Sequence, residues 1–151
     1  MGVKQHIFID TNILLRYIVI EAPEHVTIKR GVDSLINTGY HLWINRQVIR
    51  EFSNVLTRPQ LFPTPLDARV VAQKVRDFRK LFEVCDETEQ VTEQLLTLMD
   101  TYLLGGKQIH DANIVATMLV YQIPQILTLN VADFQRFSKI ITLVTLPEIL
   151  N

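Results

Sequence analysis

Four carboxylates stand out for their surroundings: Asp10, Glu51, Asp111 and Asp133. Asp10 is the only acid between Gln5 and Leu15 and lies between two aliphatic runs. Glu51 borders an apolar helical stripe formed by Val48, Phe52 and Val55. Asp111 is the sole charge in the eleven residues Asp-Ala-Asn-Ile-Val-Ala-Thr-Met-Leu-Val-Tyr. Asp133 follows Asn130 by three positions, after an apolar run. Each acid has an ordinary explanation. Asp10 or Thr11 could cap a helix, and Glu51 could pack its stem while its head reaches water. Asp111 could favour a helix dipole by about 0.3–1 kcal/mol, and Asn130 with Asp133 could form a capping box. Taken together, however, each sits beside an expected strand end or the helix after it, and in a parallel sheet those ends converge on one edge. Carboxylates gathered there repel one another, and their pKa values rise unless a cation neutralises them. An all-oxygen cluster suits Mg²⁺ or Mn²⁺. Zinc fits less well, because His6, His25, His41 and His110 show no paired ligand spacing. Hard divalent ions can activate water and stabilise an in-line displacement at a phosphate.

The elements that must position these acids follow from apolar spacing and punctuation. Residues 7–9 read as a short buried strand and 12–19 as a helix, so the chain turns at Asp10 and Thr11. Pro23 marks a helix entry, residues 25–37 a helix, and Gly39 its C-terminal cap. A strand is expected over 40–45 and a helix over 46–57, stopped by the Arg58-Pro59 step. Residues 59–65 form a proline-punctuated loop. Helices are expected over 67–80, 88–104 and 111–122, with Gly105-Gly106 ending the second and Pro124 following the third. Strands are expected over 82–85, 125–129 and 140–144. Alternating strands and helices imply an α/β fold with a mainly parallel sheet covered on both faces.

At 151 residues the chain is expected to form one domain, 1–151, with a core of its own. No apolar run is long enough to span a bilayer, and the opening residues leave no room for a signal peptide, so a cytoplasmic location is expected. The single Cys85 excludes an internal disulfide and a multi-thiolate metal site, and reads as a small buried residue. A net charge of −1 does not announce a polyanion partner, but the distribution is uneven. Ten Lys or Arg face four acids between Lys29 and Lys80, whereas Glu83 to Asp100 hold six acids and no base. This could be a polyanion-binding face and its opposite, or two solvated helix faces.

The ordered motifs resemble those of PIN-domain ribonucleases of the VapC toxin-like group. Ile-Phe-Ile-Asp10-Thr11-Asn12 is similar to the family's opening motif, and Val48-Ile-Arg-Glu51-Phe-Ser-Asn-Val-Leu-Thr-Arg-Pro59 to the helix carrying its second acid. His110-Asp111-Ala112 resembles the third-acid motif, and Leu127-Thr-Leu-Asn130-Val-Ala-Asp133-Phe134 the closing one. The likeness covers nearly the whole chain in the family's order. It implies a compact three-layer α/β/α domain and a metal-dependent endoribonuclease that leaves a 5′-phosphate and a 3′-hydroxyl. By the resemblance, Asp10, Glu51 and Asp111 are ligands of Mg²⁺ or Mn²⁺. Thr11 hydrogen-bonds a carboxylate or water, and Asn12 holds the loop. Members differ in whether the fourth acid falls at the position of Asn130 or of Asp133. Here Asp133 takes that role, and Asn130 orients it or the attacking water. Arg16, Arg46, Arg50 and Arg58 are candidates for holding RNA phosphates, although Arg46 and Arg50 could serve only solubility. The resemblance also implies an antitoxin partner covering the acidic pocket, and a homodimer.

Other functions are weighed on the same residues. A PIN-like module could hold RNA or protein without cutting. A phosphoacceptor receiver would need adjacent acids after the first strand and a lysine after the last, where this chain has only Asp10 and, before the final strand, Lys139. A dinucleotide-binding enzyme is disfavoured, since no Gly-x-Gly-x-x-Gly follows a strand.

Overall fold

The structure, a computed structural model, describes residues 5–58 and 64–150. β1 (His6–Ile9) leads at once into α1 (Thr11–Ile18), and α2 (His25–Asn37) follows. β2 (His41–Asn45) runs directly into α3 (Arg46–Thr57). Then come α4 (Ala68–Phe78), a 3-10 turn (Arg79–Leu81), β3 (Glu83–Cys85), α5 (Glu89–Thr101) and α6 (Gln108–Tyr121). β4 (Gln125–Leu127) precedes the one-turn α7 (Val131–Phe134) and its 3-10 continuation (Gln135–Phe137), and β5 (Thr142–Val144) and α8 (Leu146–Leu150) close the fold.

The strands form one five-stranded sheet in the order β3-β2-β1-β4-β5, with every pairing parallel. Helices cover both faces, giving three α/β/α layers. β1 is central, and Ile7, Phe8 and Ile9 are fully buried, as the continuous apolar run requires. The chain lays β2 and β3 on one side of β1, then returns to place β4 and β5 on the other. The reversal lies between β1 and β4, and a doubly wound sheet opens a crevice beyond the carboxyl ends of such a pair. Asp10 and Thr128 are the residues that immediately follow those two strands. Among the described residues no helix is long and apolar enough to cross a membrane.

Side-chain caps set the starts of four helices. The side chains of Asp10, Asn45, Asp67 and Thr88 each accept a backbone N–H at the start of α1, α3, α4 and α5. Gly39, at φ +92, lets Tyr40 N–H return to Leu35 O at the end of α2.

Several expected boundaries shift. α5 ends at Thr101 rather than 104, because Tyr102 turns extended and its ring packs edge-on against Phe137, 5.0 Å between centroids. α6 begins at Gln108 instead of 111, since the first-turn bonds of Gln108, Ile109 and His110 return to Gly105, Gly106 and Lys107. The strand expected to reach 129 stops at Leu127, where the Leu129 N–H turns to the Asn12 side chain at the start of α1 and the Asn130 N–H turns back to the Thr128 hydroxyl. β5 starts at Thr142, because Ile140 and Ile141 donate back to Phe137 O in a turn. Pro23 lies two residues before α2, whose cap is Glu24 in the left-handed region at φ 65. Of the proline-punctuated loop, residues 59–63 lie outside the described residues.

Candidate active site

Asp10 is 7% exposed, and both of its oxygens are held. Oδ1 accepts Thr11 N–H at 2.8 Å, so the helix cap is real. Oδ2 accepts the Thr128 hydroxyl at 2.7 Å and the Asn12 amide at 3.2 Å. Thr128 uses its full capacity: its O–H goes to Asp10, while its oxygen accepts Asn12 Nδ2 at 3.3 Å and Asn130 N–H at 3.0 Å. Asn12 Oδ1 takes Leu129 N–H at 3.1 Å. The loops after β1 and β4 are thus tied together around one carboxylate. Burial pushes the Asp10 carboxyl up, the bonds from Thr128, Thr11 and Asn12 pull it down, Glu51 adds to the rise, and the net direction is up.

Glu51 does not simply reach into water. It is half-buried, with Oε2 accepting the Thr11 hydroxyl at 2.6 Å and Oε1 accepting Gln47 Nε2 at 2.9 Å. Asp111, in the first turn of α6, has its carboxyl raised to about 6. Burial is the first cause, followed by repulsion from Asp133, Asp10 and Glu51, with His110 pulling the other way. The structure therefore brings Asp10, Glu51 and Asp133 within electrostatic reach of Asp111, though the four lie on different segments. Asp133 is exposed. Asn130 is also exposed and caps α7 through no side-chain bond, so the capping-box alternative for this pair does not hold.

Among the described residues, no three His, Cys, Asp or Glu side chains stand close enough to hold a metal ion as they are. The donor chemistry nonetheless fits a hard divalent cation. It is all oxygen, and two carboxylates carry raised pKa values that a nearby positive charge would relieve.

Of the basic candidates, Arg46 pairs with Asp86 at 2.8 Å and Arg50 with Glu87 at 3.0 Å, both on the surface. Arg16 donates to Asn12 O at 2.9 Å, and Arg58 is exposed.

Three polar residues of the site carry no charge and were not singled out by sequence: Thr128, Gln47 and Asn113. Gln47 is 5% exposed, and its amide links Glu51, His110 O and Asn113. The available signal was polarity out of place. Gln47 follows a strand end closely, and Asn113 interrupts the charge-free helix.

The fold is shared with solved toxin structures. VapBC2 from Rickettsia felis, in complex with a promoter DNA fragment, aligns with a TM-score of 0.66 at 17% identity, covering 93% of this chain and 98% of that one. A toxin–antitoxin complex from Klebsiella pneumoniae aligns at 0.63 and 19% identity, covering 92% and 96%. VapC20 from Mycobacterium tuberculosis, a sarcin-ricin loop cleaving toxin, aligns at 0.63 and 17% identity, covering 86% and 94%. No curated protein matches the chain by sequence. The PIN domain family does match, over residues 7–140, a span that contains both carboxyl-edge loops and all four acids. The chain belongs to the PIN domain family.

Proposed function

We propose that this protein is a divalent-metal-dependent endoribonuclease acting as the toxin of a toxin–antitoxin pair. The observation that carries this is the convergence of buried Asp10, half-buried Glu51 and half-buried Asp111 at the crevice of a PIN domain, where, beyond burial, Glu51 adds to the rise of Asp10, and Asp133, Asp10 and Glu51 add to that of Asp111. Capping α1 accounts for Asp10 but not for the repulsion that Asp111 meets there. The likeness to VapC20 and to toxin–antitoxin complexes supports RNA as substrate and an antitoxin as partner.

In this reading Asp10, Glu51 and Asp111 hold Mg²⁺ or Mn²⁺, and Asp133 completes the set. The ion, when bound, supplies positive charge that polarises the scissile phosphate and makes water a better nucleophile. Thr11 holds Glu51, while Thr128 and Asn12 hold Asp10, so each carboxylate is restrained and only small shifts are left to bring the donors onto one ion. Asp133, exposed and near enough to raise the Asp111 carboxyl, is the fourth acid of this set, and the attacking water gives its proton to solvent. The water oxygen bonds to phosphorus, the bond to O3′ breaks, and O3′ takes a proton from solvent water, giving a 5′-phosphate and a 3′-hydroxyl. Asn130 stays a neutral neighbour of Asp133. Phosphates are held by basic side chains. Arg16, bonded to Asn12 O two residues from Asp10, is the first candidate, because its own acid, Glu24, stands at 3.8 Å whereas Arg46 and Arg50 would have to leave Asp86 and Glu87 at 2.8 and 3.0 Å.

The test is cleavage of an RNA panel with Mn²⁺, with and without a chelator, for wild type, Asp10→Asn and Asp111→Asn. Chelator-sensitive cleavage lost in both variants is the expected result. Full activity in either variant would refute the assigned roles. A module that holds RNA or protein without cutting would leave the panel intact at every metal concentration.

A further inference from the structure

Glu51 sits on α3 and Asp111 on α6, and the two helices meet at the site through one buried uncharged side chain. Gln47 lies one turn before Glu51 on the same face of α3. Its Nε2 donates to Glu51 Oε1 at 2.9 Å and to the backbone O of His110 at 3.1 Å. Its Oε1 accepts Asn113 Nδ2 at 2.9 Å. Both amide protons are therefore used, and because the Glu51 carboxylate and the His110 carbonyl can only accept, they fix which end of the amide faces them and leave Oε1 to accept from Asn113. His110 and Asn113 flank Asp111 on α6. A buried amide with no part in the apolar core links the second acid to the helix turn that carries the third.

We propose that Gln47, anchored to α6 through His110 O and Asn113, is a positioning residue that sets where the Glu51 carboxylate stands relative to Asp111. The inference rests on the reading that these two acids hold one ion. Thr11 holds the other Glu51 oxygen, so together the two donors leave the carboxylate little freedom to rotate. Without Gln47, Glu51 keeps one anchor and swings about it, so more of its freedom must be lost when the ion binds. Loss of such an outer partner typically lowers metal affinity or activity about 10- to 100-fold.

The experiment measures Mn²⁺ affinity by calorimetry for wild type, Gln47→Met, Glu51→Gln and the double variant. Far-UV circular dichroism confirms folding, and kcat and KM are measured on RNA. Gln47→Met should weaken Mn²⁺ binding about 10-fold or more and lower kcat with KM within about 2-fold, as expected for a partner that orients a ligand. On the Glu51→Gln background the same change should have no further effect on affinity, because the carboxylate it orients is gone. Wild-type affinity in Gln47→Met, or an equal loss on both backgrounds, overturns the proposal. A metal-free readout stands beside these. The Gln47 side-chain amide protons should be protected from solvent exchange in the wild-type NMR spectrum, and Glu51→Ala should release one of them. Rapid exchange of both in wild type also overturns it. If wild type binds no Mn²⁺, the nuclease reading fails by itself, and the amide exchange still decides whether Gln47 holds Glu51.

Discussion

Thr128 donates to Asp10 at 2.7 Å across 118 residues of sequence, joining the carboxyl ends of β1 and β4 where the sheet reverses direction. The hydroxyl is almost wholly buried and is the strongest hydrogen-bond influence keeping the Asp10 carboxyl from rising further. Replacing Thr128 by Val keeps the shape and removes three bonds: the buried Asp10 Oδ2 loses its shortest donor, the Asn130 N–H loses its acceptor, and the Asn12 amide keeps only Asp10. The expected cost is about 1–3 kcal/mol, the penalty of stranding buried polar groups, read as a lower urea midpoint with unchanged slope. Thr128→Ser should recover most of it. A Val variant as stable as wild type would show that the two loops are held by other means.

Asp111 works against the fold at neutral pH. Its folded-state value of about 6 exceeds the ordinary 3.8, so the folded protein binds this proton more tightly than the unfolded chain. The stability it contributes is full below pH 3.8 and is lost as pH rises through about 6. A fully buried group would lose about 3 kcal/mol over that range. Asp111 is half-buried, and solvent screening reduces the figure to about 1–2 kcal/mol. Asp111→Asn should therefore be more stable than wild type at pH 7 by about that amount, with the difference shrinking toward pH 4. Thermal melts of both proteins across this range check it. A difference independent of pH would mean that the gain comes from elsewhere. Added Mn²⁺ should narrow the gap at pH 7 by stabilising only the protein that retains the carboxylate.

Much of this arrangement is legible in the chain because its signals are local. α2 and α3 occupy the spans that apolar spacing and end punctuation indicate, and a charge within an aliphatic run marks Asp10 and Asp111 without any knowledge of the fold. What escapes is whatever depends on a distant neighbour. Tyr102 ends α5 early to meet Phe137, and no residue near Tyr102 signals that. Thr128 matters only because β4 lies beside β1, and Gln47 only because α3 meets α6 at Asn113, 66 positions away. Threonine, glutamine and asparagine are also common and uncharged, so their presence alone carries little information. Strand order turns them from ordinary residues into parts of a site.

Cys85 should be chemically silent in the folded protein. It is fully buried in β3, and burial, reinforced by Asp86 and Glu83, pushes its thiol up to about 12. The thiolate is the reactive form, so both access and ionisation oppose modification. An aromatic disulfide reagent at pH 8 should leave native protein unlabelled and label one thiol per chain in denaturant. Prompt labelling of native protein would show that this edge of the sheet opens readily.

Gly31 and Ile149 provide a test of how α8 is seated. A Cβ built on Gly31 would stand 2.5 Å from Ile149 Cδ1 and 3.0 Å from Cγ1, so the C-terminal helix packs onto α2 at a place where only glycine leaves room. Two effects oppose each other in Gly31→Ala. Alanine favours the interior of α2 by about 0.8–1.0 kcal/mol. Moving Ile149 off its preferred rotamer costs about 0.5–1.5 kcal/mol. The atom in the way is the tip of a flexible side chain, so the two nearly cancel and the single change should alter stability little. On an Ile149→Ala background the obstacle is gone, and Gly31→Ala should stabilise by nearly the full helix preference. The expected result is a double-mutant cycle with a coupling of about 1 kcal/mol, measured by urea unfolding. Strict additivity would mean that Ile149 does not rest on Gly31 in solution.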